Sequence, residues 1–347
     1  MIRLVLADDS PTCRALVATV LRRAGGIDVV GEAVDGPGAL ELVERHHPDV
    51  LLTDLVMPGL DGLALTRRLM LTSPLPIVLI SAAWRVGEAA VSVEALAAGA
   101  LALVARPPGP GHPDHAAAAA VLVETIRQVA FAQVLPRPMV PQPRPLPSVA
   151  PTVSPPDHLR LVAVGASTGG PDALRRLVDA LPRPFEVPIV VVQHMTDGFI
   201  GAMVEWFGRA TSRTTLLAHE GQVPGPDTVV FAPDEHHLTI DEECRLHLLG
   251  TPPEGGHRPA AAVLFASVAR ALGSKACGVL LTGMGRDGAR ELGAMRSAGA
   301  ITFAQSRESC VVYGMPGEAV SLGAATHELP PEDIGSTLGT LVTRGAS

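Results

Sequence analysis

A serine, a histidine and an aspartate each stand directly after an apolar run in the second half of this chain, and these three residue types together can perform acyl transfer. Ser167 lies in Gly165-Ala166-Ser167-Thr168-Gly169-Gly170-Pro171, behind the run RLVAV. Gly165 to Gly169 matches GxSxG. A serine on a tight strand-to-helix turn exposes its hydroxyl, and the following helix start offers unpaired amides to an oxyanion. The same Ser-Thr-Gly-Gly is also a good helix-capping turn, so the motif alone leaves both readings open. His194 follows PIVVVQ, and Asp287 lies in LTGMGRDG behind ACGVL. A serine hydroxyl needs a base to take its proton, and the base needs an acid to fix its tautomer and orientation. The order Ser167, His194, Asp287 is not that of the α/β-hydrolases, chymotrypsin or subtilisin, so an ordinary α/β-hydrolase fold is not expected.

Two competing readings belong beside this one. Gly283-x-Gly285-x-x-Gly288 matches a dinucleotide fingerprint. That reading leaves Ser167 and His194 without a role and puts Asp287 where pyrophosphate would lie. His236 and His237 fall in a polar alternating stretch and are expected to be solvated or core residues, as most of the twelve histidines are.

The first half carries a different constellation. Asp8 and Asp9 follow IRLVLA, Asp54 follows VLLT, Ser81 follows PIVLI, and Arg106-Pro107 follows LALVA. Carboxylates gathered in one pocket repel unless a cation is bound, and oxygen-only ligands suit Mg²⁺. A hydroxyl and a cation beside them could hold a phosphoryl group on Asp54. Acids at strand ends also cap helices, which is the plainer account of any one of them.

These residues need a scaffold that brings strand ends together. Both halves alternate short apolar runs with amphipathic stretches, which implies α/β architecture with parallel, doubly wound sheets. The first half reads as five strands and five helices, (βα)5. The second reads as strands RLVAVGA, PIVVVQ, DTVVFAP, ACGVLLTG and AITFA, with helices after Pro171, at Pro259 and at Gly288. HHLTIDEECRLHLLG reads as a small antiparallel hairpin. Residues 136–158 are dense in proline and read as a semi-rigid linker. The expected division is residues 1–135, linker 136–158 and residues 159–347.

Taken in order, the motifs of the first half resemble the receiver domain of two-component response regulators. Those of the second half, GASTGGP, VVVQHM, FAPDEHHL, HRP, LTGMGRDG and AQSRESCVVYGMPGEA, resemble the CheB-type chemotaxis protein-glutamate methylesterases. The resemblance implies a Ser167, His194, Asp287 triad with oxyanion donors at the amides of Thr168 and Met284. It implies phosphorylation at Asp54 by a chemotaxis-type histidine kinase. Mg²⁺ would be held by Asp8, Asp9, Asp54 and Val56, with Ser81 and Arg106 as switch residues and no cofactor for the esterase. It also implies hydrolysis of glutamyl methyl esters, and in some relatives glutamine deamidation, on methyl-accepting chemoreceptors. A receiver carrying a degenerate, non-enzymatic docking domain is the alternative. Three departures stand out: Arg106 replaces the usual lysine, Leu103 replaces an aromatic, and Ala260-Ala261-Ala262 follow HRP where the family often places an aspartate, which bears on substrate fit.

Composition limits the partners. The net charge of -8 and 3% aromatic content argue against nucleic-acid binding. Lysine occurs once, at Lys275, so arginine is the chain's default cation. No apolar run is long enough for membrane insertion. The initial MIRLVL runs straight into acids, which makes it a strand rather than a signal peptide. The scattered Cys13, Cys244, Cys277 and Cys310 suit reduced thiols, and a cytoplasmic location is expected.

Overall fold

The computed structural model describes residues 1–81, 86–132, 134 and 159–344. The expected linker, 136–158, lies outside them. The chain divides into two compact units, Met1–Pro141 and Gln142–Ser347.

The first unit alternates strictly: β1 (Ile2–Ala7), α1 (Pro11–Arg23), β2 (Ile27–Ala33), α2 (Gly36–His46), β3 (Val50–Asp54), α3 (Gly62–Thr72), β4 (Ile77–Ser81), α4 (Val86–Ala98), β5 (Ala102–Ala105) and α5 (His115–Val129). The strands are parallel in the order β2-β1-β3-β4-β5. β3 and β4 are buried at every position, which is why their sequences read as unbroken apolar runs rather than alternating ones. Ser10, Asp35 and Asp61 cap α1, α2 and α3 by accepting hydrogen bonds from the amides of Cys13, Gly38 and Ala64. Asp8 and Asp54 cap none of these helices.

The second unit contains β6 (Leu161–Ala166), α6 (Gly170–Asp179), β7 (Ile189–Gln193), α7 (Ile200–Thr211), β8 (Thr214–Leu217), β9 (Thr228–Phe231), β10 (His237–Ile240), β11 (Leu246–Leu249), α8 (Ala261–Ala271), β12 (Ala276–Leu280), α9 (Ala289–Ser297), β13 (Ile301–Gln305), α10 (Met315–Ser321), β14 (His327–Leu329) and α11 (Pro331–Arg344). Seven strands form a parallel sheet ordered β14-β13-β12-β6-β7-β9-β8, and β10-β11 form the expected antiparallel hairpin. The sequence reading of five sheet strands is therefore short by two. β8 is four residues long with mostly exposed side chains, and β14 is only three residues long. Both are sheet edges, where little apolar pattern is needed to hold a strand. α7, α10 and α11 were likewise not anticipated.

On one side of this sheet α8 contributes Leu264, Phe265 and Val268 to a core shared with Leu280, Leu292 and Met295. Full burial of such a side chain contributes about 1.5–3 kcal/mol. α11 packs against α6, the helix that begins just after Ser167. A Cβ at Gly335 would lie 2.2 Å from the Leu177 carbonyl oxygen and 2.9 Å from the Ala180 Cβ. Glycine lets the two helices meet there. Gly335→Ala should thus lower stability by about 1–3 kcal/mol through overpacking, although alanine is the better helix former. Urea unfolding checks this, and a midpoint that stays or rises would show that the close approach is not a constraint.

Candidate active site

Parallel registration builds the site of the second unit. β6 pairs with β7 so that Ala166 faces Gln193, and with β12 so that Gly165 faces Leu280. The chain just past these three strands holds Ser167, His194 and Thr282. Ser167 N donates to Thr282 O at 3.0 Å, and His194 N donates to Ala166 O at 2.8 Å. Ser167 is half-buried on a sharp turn. Gly169, at φ 77°, adopts the left-handed conformation that lets α6 start immediately. A side chain at Gly283 would collide with Ser167, its Cβ 2.7 Å from the serine Cβ. Gly283 therefore lets the chain ahead of Met284 pass directly against Ser167.

His194 and Asp287 meet: Nε2 lies 2.8 Å from Oδ2, with both side chains more than nine-tenths buried. A carboxylate only accepts, so this contact places the imidazole proton on Nε2. Nδ1 is buried with no hydrogen-bond partner among the described residues, and is the nitrogen left to accept a proton. The Nε2 contact is short but not aligned as a directed hydrogen bond; catalytic hydrogen bonds often tighten only when substrate is bound. Asp287 also accepts from Ala261 N at 2.6 Å and Ala262 N at 3.0 Å. Burial alone would raise its proton affinity; His194 and these two amides outweigh burial and hold the carboxyl below its ordinary range.

The amides of Thr168 and Met284 donate to no acceptor among the described residues. Each lies one residue past a point of contact between the Ser167 turn and the Gly283 segment, so both are available to a developing oxyanion. Thr282 braces the two segments: its hydroxyl donates to Thr168 O at 3.0 Å and accepts from Val312 N at 2.9 Å. Gln193 ties Ser167 to His194, its side-chain amide donating to Ser167 O at 2.9 Å and His194 O at 2.8 Å. Beside His194 opens a cleft of about 250 Å³ lined by Asp197, Asp234, Glu235, His257 and Arg258.

In the first unit β1 and β3 are neighbours, which brings Asp8 and Asp54 together. Carboxylate oxygens of Asp8, Asp9 and Asp54 lie within 4.8 Å of one another. Arg106 Nη2 sits 2.7 Å from Asp54 Oδ2 and 3.0 Å from Asp8 Oδ2. Burial raises the Asp54 and Asp8 carboxyls above their ordinary range despite this guanidinium. Three carboxylates gathered beside the Arg106 guanidinium fit a small hard cation such as Mg²⁺. Ser81 ends β4 and is buried; its carbonyl accepts from Arg106 N at 2.9 Å. Leu103 is buried within β5, and the Val56 side chain is exposed in the loop after β3.

Comparison with known proteins bears on both units. The family model described as CheB methylesterase matches residues 162–338, and that described as response regulator receiver domain matches residues 4–112. A protein-glutamate methylesterase/protein-glutamine glutaminase of Geobacter metallireducens is 43% identical over 98% of this chain and 99% of its own. The chain belongs to the CheB methylesterase family. A second relative of that name, from Nitrosospira multiformis, is 41% identical over 99% of this chain and 97% of its own. The CheB methylesterase catalytic domain of Thermotoga maritima, a crystal structure, aligns with 53% of this chain and 99% of its own at a TM-score of 0.51 and 33% identity.

Sequence reasoning singled out Ser167, His194 and Asp287 but not the groups packed around them. The Ala260-Ala261-Ala262 run, read for substrate fit, contributes main-chain amides to Asp287. His237, set aside as a core or solvated residue, is buried and bonds Pro252 O at 3.1 Å through Nε2 and Ala260 N at 3.2 Å through Nδ1. His257 stacks on His194, an arrangement that nothing in the HRP motif announces. Because Asp287 satisfies two amides at the start of α8, Asp287→Ala should cost about 1–3 kcal/mol of stability as well as activity. Ser167→Ala should leave stability within about 0.5 kcal/mol. Thermal unfolding of the two variants checks this; equal midpoints would show that the helix start does not depend on the carboxylate.

Proposed function

We propose that the chain hydrolyses glutamyl methyl esters on chemoreceptor helices, under control of phosphorylation at Asp54. The observation that carries this is the buried His194–Asp287 contact, with the Ser167 turn on the adjoining strand end. Ser167 Oγ attacks the ester carbonyl while His194 Nδ1 takes its proton. The amides of Thr168 and Met284 receive the oxyanion. Collapse of the tetrahedral species expels methoxide, which takes the proton from His194 and leaves as methanol. Water, deprotonated by His194, then attacks the glutamyl-serine ester, and its breakdown returns Ser167 and a free glutamate. Asp287 keeps Nε2 protonated throughout. A primary amide in place of the ester would release ammonia by the same steps, which extends the reading to glutamine deamidation.

In the proposed division residues 1–135 are the receiver, 136–158 the linker and 159–347 the catalytic domain. A histidine kinase of the chemotaxis type would supply the phosphoryl group. Asp8, Asp9, Asp54 and the main chain at Val56 would hold Mg²⁺, whose charge offsets the repulsion between carboxylate and phosphoryl oxygens. Ser81 and Arg106 would read the phosphorylated state. The non-enzymatic alternative leaves the unpartnered His194 Nδ1 and the two unused amides without purpose. Among the described residues no helix is long and apolar enough to cross a membrane.

Methanol release from methylated receptor membranes tests the reading. Ser167→Ala should lower the rate by several orders of magnitude, as loss of a covalent nucleophile does; a rate within about tenfold of the parent's would exclude Ser167 as nucleophile. A second measurement concerns the switch. Arg106 meets both carboxylates through Nη2, one corner of a broad planar group, where a lysine would present a compact charge. Arg106→Lys should therefore raise the phosphorylation-dependent gain in rate and leave the basal rate nearly unchanged. A smaller gain would mean that the guanidinium is the better reader of this pocket.

A further inference from the structure

His194 has its main chain fixed at both ends of the residue, by Ala166 O and by the Gln193 side chain. Neither tie sets the ring plane, and the terminal torsion of a histidine has only broad, two-fold preferences. Yet the chemistry depends on that torsion, because it decides which nitrogen meets Asp287. Besides the Asp287 contact, one feature among the described residues restricts it. The His257 imidazole lies flat against the His194 ring, with centroids 4.0 Å apart and planes 4° from parallel.

His257 is itself anchored. Its amide and carbonyl are paired with those of Glu254, both at 3.0 Å. The loop around it is tied down by His237, which bonds Pro252 O on one side and Ala260 N on the other. Arg258 Nη1 adds a contact to Thr251 O at 3.3 Å. The plate thus comes from a different loop than the base, and that loop leads directly into α8, whose first amides hold Asp287. Burial, reinforced by the neighbouring His194, holds His257 below the ordinary histidine range, opposed by Asp287. A ring that resists protonation does not set a second positive charge beside an imidazolium.

We propose that His257 is a positioning residue for the base: its imidazole acts as a plate that fixes the His194 ring plane, directing Nε2 to Asp287 and leaving Nδ1 for the serine proton. The proposal rests on the esterase reading for its kinetic consequence, but not for its structural one.

The test uses the full-length chain with His257→Ala and His257→Phe. Two quantities are read: methanol release from methylated receptor membranes, and the His194 tautomer by ¹⁵N NMR of the imidazole. The parent should hold its proton on Nε2 alone. Removing the plate in His257→Ala should lower kcat by about tenfold or more with KM within about threefold, the pattern of a misplaced reacting group, and should mix the two tautomers. His257→Phe keeps a flat ring and should return kcat to within about threefold of the parent with a single tautomer. Parental kcat and a single tautomer in His257→Ala would overturn the proposal, as would a His257→Phe variant as impaired as His257→Ala. A parent that releases no methanol would instead overturn the esterase reading, and the tautomer would still decide the role of His257.

Discussion

The Asp287 carboxylate is the interaction on which the catalytic unit depends. A carboxylate buried to this degree would ordinarily be driven toward its neutral form. Here it accepts from the first two amides of α8 and lies 2.8 Å from the His194 ring. The benefit is mutual, since Ala260, at the cap position of α8, has no side-chain oxygen to cap it. One side chain therefore completes a helix start and meets the His194 ring. This also accounts for three successive alanines at the edge of an active site: what the site takes from Ala261 and Ala262 is main chain, which any residue except proline supplies.

The rest of the site follows from sheet geometry. Three neighbouring parallel strands end at the same level, and the chain that leaves each must turn at once toward a helix. Such turns need small residues where chain meets chain. Gly283 supplies that against Ser167, and Gly169 supplies the left-handed conformation that begins α6. The receiver unit uses the same geometry for a different end. Its adjacent strands deliver carboxylates instead of a nucleophile and a base, and its fifth strand delivers the arginine that spans Asp8 and Asp54.

Much of this was legible in the sequence for a physical reason. Buried parallel strands are unbroken apolar runs, so the residues that end them stand out; Ser167, His194, Asp8 and Asp54 lie at or just past such ends, and Asp287 follows one in a glycine-rich turn. Residues whose importance comes from a partner distant in the chain carried no comparable signal. Gln193 looks like the last residue of a strand until its amide is seen to join the carbonyls of Ser167 and His194. His257 looks like one histidine of twelve until its ring is found on His194. The edge strands β8 and β14 escaped because strands with one neighbour and exposed side chains need little apolar pattern, and the helix IGAMVEWFGRAT escaped because Phe199, which precedes it, has no side-chain oxygen to announce a cap.

The position of β6 within its sheet has one more consequence. It is the fourth of seven strands, with three on either side. Proteins open locally from their margins inward, and the interior of a sheet exchanges its amide hydrogens only when the whole domain comes apart. The short outer strands β8 and β14 can fray and reclose without moving Ser167, His194 or Thr282, each of which follows a strand at or next to the centre. The catalytic groups thus sit in the part of the domain that is last to open. Sequence change accumulating at the sheet margins would erode overall stability long before it disturbed the alignment of these groups.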